Sequence, residues 1–198
     1  MNGEDLLSFQ VLALAVPAVL FAGISKAGFG SGAAFAGVAI LALVVEPAAA
    51  LGVMLPLLMV IDAAALRPYW KRWDSEAARL LFYGGVPGVA LGAAIFAVVP
   101  ADTIRLLIGA VCLLFVGYRM LLSRGLLPVR DRPLPRWAGL LAGVGAGFTS
   151  FVSHAGGPVV AIYLLSRETD KTRYQATTVV VFWALNLAKF LPYALLGM

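Results

Sequence analysis

Apolar residues dominate this chain in long runs, and its few charged residues cluster between them. Eight apolar segments can be read, at about 8–24, 31–45, 47–66, 80–99, 102–122, 137–153, 157–166 and 174–195. Proline and glycine mark most of the joints, as at Glu46-Pro47 and Pro100. No alternating strand pattern recurs, so the runs predict helices and argue against a β-barrel. A full crossing of a bilayer takes about 20 apolar residues at 1.5 Å each. Pro158 to Leu165 is far too short for that, and Ser31 to Val45 is marginal. The first and second segments therefore read as a broken or re-entrant pair, and so do the sixth and seventh. The alternative is four full spans, which would put Lys26 and His154 at opposite surfaces.

The pattern also repeats. Shifted by 124 positions, Gly23 meets Gly147, Ser25 meets Thr149 and Gly32 meets Gly156, without a gap. At the same offset Glu46 meets Asp170, Asp62 meets Asn186, and Pro68-Tyr69 meets Pro192-Tyr193. Each copy interrupts an apolar run with glycines: Gly23 to Gly32 in the first, Gly147 to Gly157 in the second. Paired interruptions of this kind in two halves point to the binding site of a transporter.

Composition places the chain in a membrane. It is 62% hydrophobic and 13% charged, with mean hydropathy +0.94, where a soluble domain carries about 25% charged residues. The chain reads as one membrane domain over residues 1–198. Its N-terminal residues, Met1 to Gln10, are acidic and lack a basic n-region, so no signal peptide is expected. Cys112 is the one cysteine and makes no intramolecular disulfide; its expected place is a buried apolar site.

The basic pI of 9.7 does not indicate nucleic acid, because the charges sit in three loops. Arg67, Lys71, Arg72 and Arg79 form one; Arg119, Arg124, Arg130, Arg132 and Arg136 a second; Arg167, Lys171 and Arg173 a third. The positive-inside rule places all three in the cytoplasm of a bacterium, with the N-terminus outside the plasma membrane. The first copy then starts outside and the second inside, which gives the repeats inverted topology. The first repeat takes five segments over 8–122, the second only three over 137–198, so the second copy reads as incomplete. Either the chain is truncated or two helices are lacking, and a partner chain, such as a second copy in a homodimer, could supply the missing surface.

At its glycine breaks the chain resembles the TauE/SafE family, also called the toluene sulfonate uptake permease family. Its members carry a motif near the start of each half, roughly Gly-Phe-x-Ser-Gly-x-x-Gly-x-Gly-Gly-Gly. Gly147-Phe148-Thr149-Ser150, followed by His154-Ala155-Gly156-Gly157-Pro158, matches it well. The first copy departs: Lys26 replaces a small residue, and only Gly30 and Gly32 remain of the terminal glycines. The resemblance spans nearly the whole chain. It implies export or uptake of small anions such as sulfite, organosulfonates and related organic acids, with proton coupling.

The residues suit that chemistry. Gly30-Ser31-Gly32 would open one half-helix and Gly156-Gly157-Pro158 the other, with proline at a tolerated first-turn position. Helix N-termini present free N–H groups and about half a positive charge, which suit a sulfonate or carboxylate. Ser25, Ser31, Thr149, Ser150 and Ser153 would add hydroxyl donors. Tight helix packing is the competing role for small residues, and it is the expected one for Gly84, Gly88 and Gly92 and for Gly139 and Gly143. Lys26 is a candidate counter-charge or a snorkelling side chain. Asn186 and Lys189 share a helix face, where they would line a pore unless Lys189 reaches outward. His154, the one histidine, and Asp62 are candidate proton carriers; a packed histidine, and an ion pair of Asp62 with an arginine such as Arg67, are the competing roles. Glu46 and Asp170 are expected to cap or solvate their joints. No metal-ligand spacing occurs, and no cofactor is expected.

The sequence thus predicts a secondary transporter of a small anion in the bilayer, not an enzyme. An assembly component that transports nothing is the first alternative. An intramembrane enzyme is the second, and Ser153-His154 lacks a third member for it.

Overall fold

A computed structural model describes residues 34–43, 45–126, 133–167 and 170–198, with isolated helical positions between 13 and 24. Among the described residues there are seven helices and no strand: α1 (Ala34–Leu41), α2 (Pro47–Leu66), α3 (Ser75–Val98), α4 (Ala101–Ser123), α5 (Arg136–Ser153), α6 (Gly157–Leu165) and α7 (Lys171–Leu195). Four of them, α2, α3, α4 and α7, are long and apolar enough to cross a membrane. At 1.5 Å per residue the nine residues of α6 reach about half that distance.

The ends of these helices follow from local chemistry. Asp74 caps α3, its carboxylate accepting from the N–H groups of Glu76 and Ala77 at 3.0 Å each. Asp170 caps α7 by accepting from Arg173 N–H at 3.0 Å. Its counterpart Glu46 stands at the cap position of α2 but makes no side-chain capping bond, and Pro47 starts that helix.

The closest packing is between α3 and α5, and glycine makes it possible. A Cβ on Gly84 would strike the Leu140 carbonyl, one on Gly88 the Val144 carbonyl, and one on Gly147 the Gly85 carbonyl. The bare Cα atoms let the two backbones touch, the arrangement that small residues provide where lipid gives helices no hydrophobic reason to associate. Gly92 receives the Phe151 side chain and Gly139 the Tyr163 ring. Packing is thus the role the structure gives Gly84, Gly88, Gly92, Gly139 and Gly143, as expected. Gly147, grouped by sequence with the break, belongs to this seam as well.

A buried core of Leu41, Leu51, Met54, Leu58, Leu81, Phe151 and Leu185 joins α1, α2, α3, α5 and α7. By contrast α4 exposes Leu106, Leu113, Leu114 and Met120, a surface suited to lipid. Cys112 on the same helix is half-buried. At the basic end, Arg167 reaches Asp74 at 3.4 Å and Glu76 at 3.2 Å, and donates to the Tyr163 hydroxyl at 3.1 Å. Glu76 also pairs with Arg136. These bonds tie the end of α6 to the starts of α3 and α5.

Replacing Gly147 by valine should cost about 1–3 kcal/mol or abolish folding, because a backbone must move to admit the side chain. Gly117→Ala, on α4 where nothing lies within 4 Å of an added Cβ, should be neutral or gain up to about 1 kcal/mol of helix propensity. Thermal unfolding of both variants in one detergent checks the contrast.

Candidate functional site

The chain stops being helical inside the fold. After Ser153, His154 turns into the left-handed region at φ 54° and ψ 19°, and α6 begins three residues later. A residue with a side chain occupies that region at some cost and usually for a reason. The turn disrupts the carbonyl pairing of α5. His154 N–H still reaches Ser150 O at 3.1 Å, but Ala155 N–H goes to Thr149 O at 3.3 Å. The Phe151 carbonyl, which Ala155 would otherwise serve, accepts instead from the Tyr193 hydroxyl at 2.6 Å.

A lysine from α7 comes to the same helix end. Lys189 is 0% exposed, and its Nζ donates to Ser150 O and Ser150 Oγ at 3.1 Å each. The same Nζ lies 2.8 Å from His154 Nδ1. The other ring nitrogen, Nε2, faces the Leu51 carbonyl of α2 at 3.3 Å. Tyr193 closes the cluster, with its ring edge-on to His154 at 6.1 Å and 5.9 Å from Lys189 Nζ. A cation here opposes the negative end of the α5 dipole, so the position suits a charge that lipid would reject.

One turn back along α7, Asn186 donates from Nδ2 to Asp62 Oδ2 at 2.7 Å. Both residues are buried, at 2% and 0% exposure. Asp62 therefore receives the Asn186 amide and faces the interior, while Arg67 belongs to the exposed basic loop.

Of the residues proposed for binding, Ser150, His154 and Lys189 converge on one point, with Asn186 and Asp62 beside it. Lys189 turns inward and does not snorkel. Thr149 and Ser153 lie on α5 but spend their hydroxyls on its own carbonyls, at Gly145 O (2.7 Å) and Thr149 O (2.9 Å). Gly156 and Gly157 are buried at the start of α6, and a Cβ at Gly156 would meet the Ala146 carbonyl and the Phe182 ring. Ser25, Lys26, Gly30, Ser31 and Gly32 lie outside the described residues. Beside the break, Thr149, Ala155, Pro158 and Val159 line an apolar pocket of about 230 Å³ together with Leu114 and Phe115 of α4.

Sequence reasoning missed Tyr193 as a partner of the break and Phe182 as its cover. The repeated Pro-Tyr dipeptide marks Tyr193 as a noteworthy position without giving it a role. Among the described residues no group of His, Cys, Asp or Glu could hold a metal ion.

Tyr193→Phe should cost about 1 kcal/mol, since it leaves the Phe151 carbonyl without the donor that replaces its helical one. Asp62→Ala should cost more, about 1–3 kcal/mol, by stranding the buried Asn186 amide, and Asp62→Asn should restore part of that by accepting the same bond. Denaturation of the three purified variants in detergent tests the order.

A family model described as Sulfite exporter TauE/SafE matches residues 15–198. No curated protein and no solved structure matches the chain.

Proposed function

The chain belongs to the sulfite exporter TauE/SafE family of membrane transporters, and from that membership we propose that it is a secondary transporter of a small anion: sulfite, an organosulfonate or a related organic acid. The observation that carries this reading is the buried Lys189 at the α5–α6 break, bonded to Ser150 and facing His154. A buried charge in a membrane protein marks a substrate or ion pathway unless packing alone explains it. Three residues past His154 is the start of α6, whose N–H groups carry the opposite preference to the carbonyls of α5: they favour an anion. His154 and Asp62 are the proposed proton carriers. With Phe182 over Gly156 and Lys189 fully buried, the described conformation is closed at this point, so passage requires the break to open to one side at a time.

Inverted repeats are the proposed scaffold for that motion. Supporting this, α1 and α6 end at Leu41 and Leu165, and α2 and α7 start at Pro47 and Lys171, all at the 124-residue offset of the repeat. Asp62 and Asn186, separated by the same 124 residues, touch. The proposed orientation puts the basic loops in the cytoplasm and the N-terminus outside a bacterial inner membrane, following the placement of arginine and lysine. In the first copy, Lys26 with Ser25, Gly30, Ser31 and Gly32 would supply the second half of the site. A homodimer remains the proposed source of further covering surface. The assembly-component reading has one observation in its favour, the poorly covered α4. The enzyme reading needs a nucleophile, base and orienter, and Ser153 turns its hydroxyl back onto Thr149 O.

Proteoliposomes containing the purified chain should show flux of sulfite or a small sulfonate that responds to an imposed pH gradient. Lys189→Gln and Lys26→Gln should each weaken apparent anion affinity by about tenfold or more, the worth of roughly one charge-assisted hydrogen bond, with less effect on folded yield. Absence of flux for every small anion under any gradient, or equal loss of yield and transport in both variants, would refute the assignment.

A further inference from the structure

Lys189 Nζ and His154 Nδ1 face each other across 2.8 Å, and one hydrogen occupies that line. With Lys189 as an ammonium, Nζ donates and the Nδ1 lone pair accepts. The hydrogen of the neutral ring then sits on Nε2, directed at the Leu51 carbonyl at 3.3 Å. The same ammonium also has Ser150 O and Ser150 Oγ as acceptors. A proton arriving at Nδ1 meets this arrangement as a conflict. It would place a second hydrogen on the shared line and a second positive charge beside the first.

Three further side chains of the described structure stand around the pair. From α7, Tyr193 turns its ring to both partners and gives its hydroxyl hydrogen to Phe151 O. From α2, Asp62 holds the Asn186 amide one turn before Lys189. From α5, Ser150 presents only oxygen acceptors to the ammonium.

We propose that the Lys189–His154 pair is the link between anion and proton: closed, it carries one positive charge, and it admits a proton at Nδ1 only as an oxyanion draws the ammonium away. The inference rests on the transport reading above and assigns the coupling to one pair of atoms. In the step, the hydrogen bond from Nζ to Nδ1 breaks and an N–H bond forms at Nδ1. The proton comes from the solution to which the site is open, and Lys189 keeps its own hydrogens. The bound oxyanion then lies against two cations, and leaving takes the proton with it because the pair closes again. One anion thereby moves with one proton.

Methanesulfonate is the probe, because the anion of a strong acid does not titrate near neutral pH and every proton counted belongs to the protein. Titration calorimetry of the full chain in lipid nanodiscs, run in two buffers of different ionisation heat, counts protons taken up per anion. The wild type should take up close to one, and its affinity should fall with rising pH by up to about tenfold per unit. His154→Asn is the matching variant: asparagine tolerates the left-handed backbone at φ 54° and keeps an acceptor for Lys189. Its binding, whatever its strength, should involve no proton and no pH slope. Wild-type binding without proton uptake, or a variant that retains the full slope, overturns the linkage while leaving anion transport intact. Failure of the wild type to bind either methanesulfonate or sulfite overturns the anion site itself, and the linkage with it.

Discussion

A helix that ends within an apolar interior must find donors for its last carbonyls, and this fold is arranged around that need. Lipid offers none, and each carbonyl left without a partner costs several kcal/mol. α7 brings two side chains to the break at the end of α5: Lys189 serves Ser150 O, and the Tyr193 hydroxyl serves Phe151 O. The third contribution comes from the other direction, where the Leu51 carbonyl of α2 receives the His154 ring. One break therefore joins three helices, and the groups that repair it are also the groups with useful chemistry.

That break can be held in place because α5 is fixed along its length. The glycine seam with α3 allows no slippage of a residue, since each bare Cα faces a particular carbonyl. At the basic end, Glu76 and Arg167 lock the start of the seam to the end of α6. Exposed ion pairs contribute little singly, but Arg167 is mostly buried and shared among Asp74, Glu76 and Tyr163. The hairpin of α5 and α6 is thus anchored at its open end and tensioned at its tip, where the left-handed His154 sits.

Much of the helical layout was legible in the sequence. Apolar run length placed α2 at its observed ends and α3, α4 and α7 within a few residues at most ends. The shortness of the 157–166 run identified α6 as a fragment. The break itself was harder to place, because glycine carries two meanings. At Gly147 the missing side chain admits a neighbouring backbone and the helix continues, whereas the actual turn falls at His154, a residue with no glycine-like signal. Charge was equally ambiguous: a lysine near a helix end reads the same whether it turns to lipid headgroups or inward, and only the position of Ser150 and His154 across the interface decides it. Asp62 found its partner 124 residues away, a relation that local spacing does not reveal but that the repeat offset names.

That last contact has a consequence for how the two halves of the chain can diverge. If the halves are copies, Asp62 and Asn186 descend from one ancestral position that faced itself across the axis between them. A carboxylate facing its own image doubles a buried negative charge, and an amide facing its image has no reason to choose donor or acceptor. One of each resolves the problem, because the amide hydrogen has a single destination at 2.7 Å. For two such copies, roles could then no longer be exchanged at this point: the contact that joins them would also be where their equivalence ends.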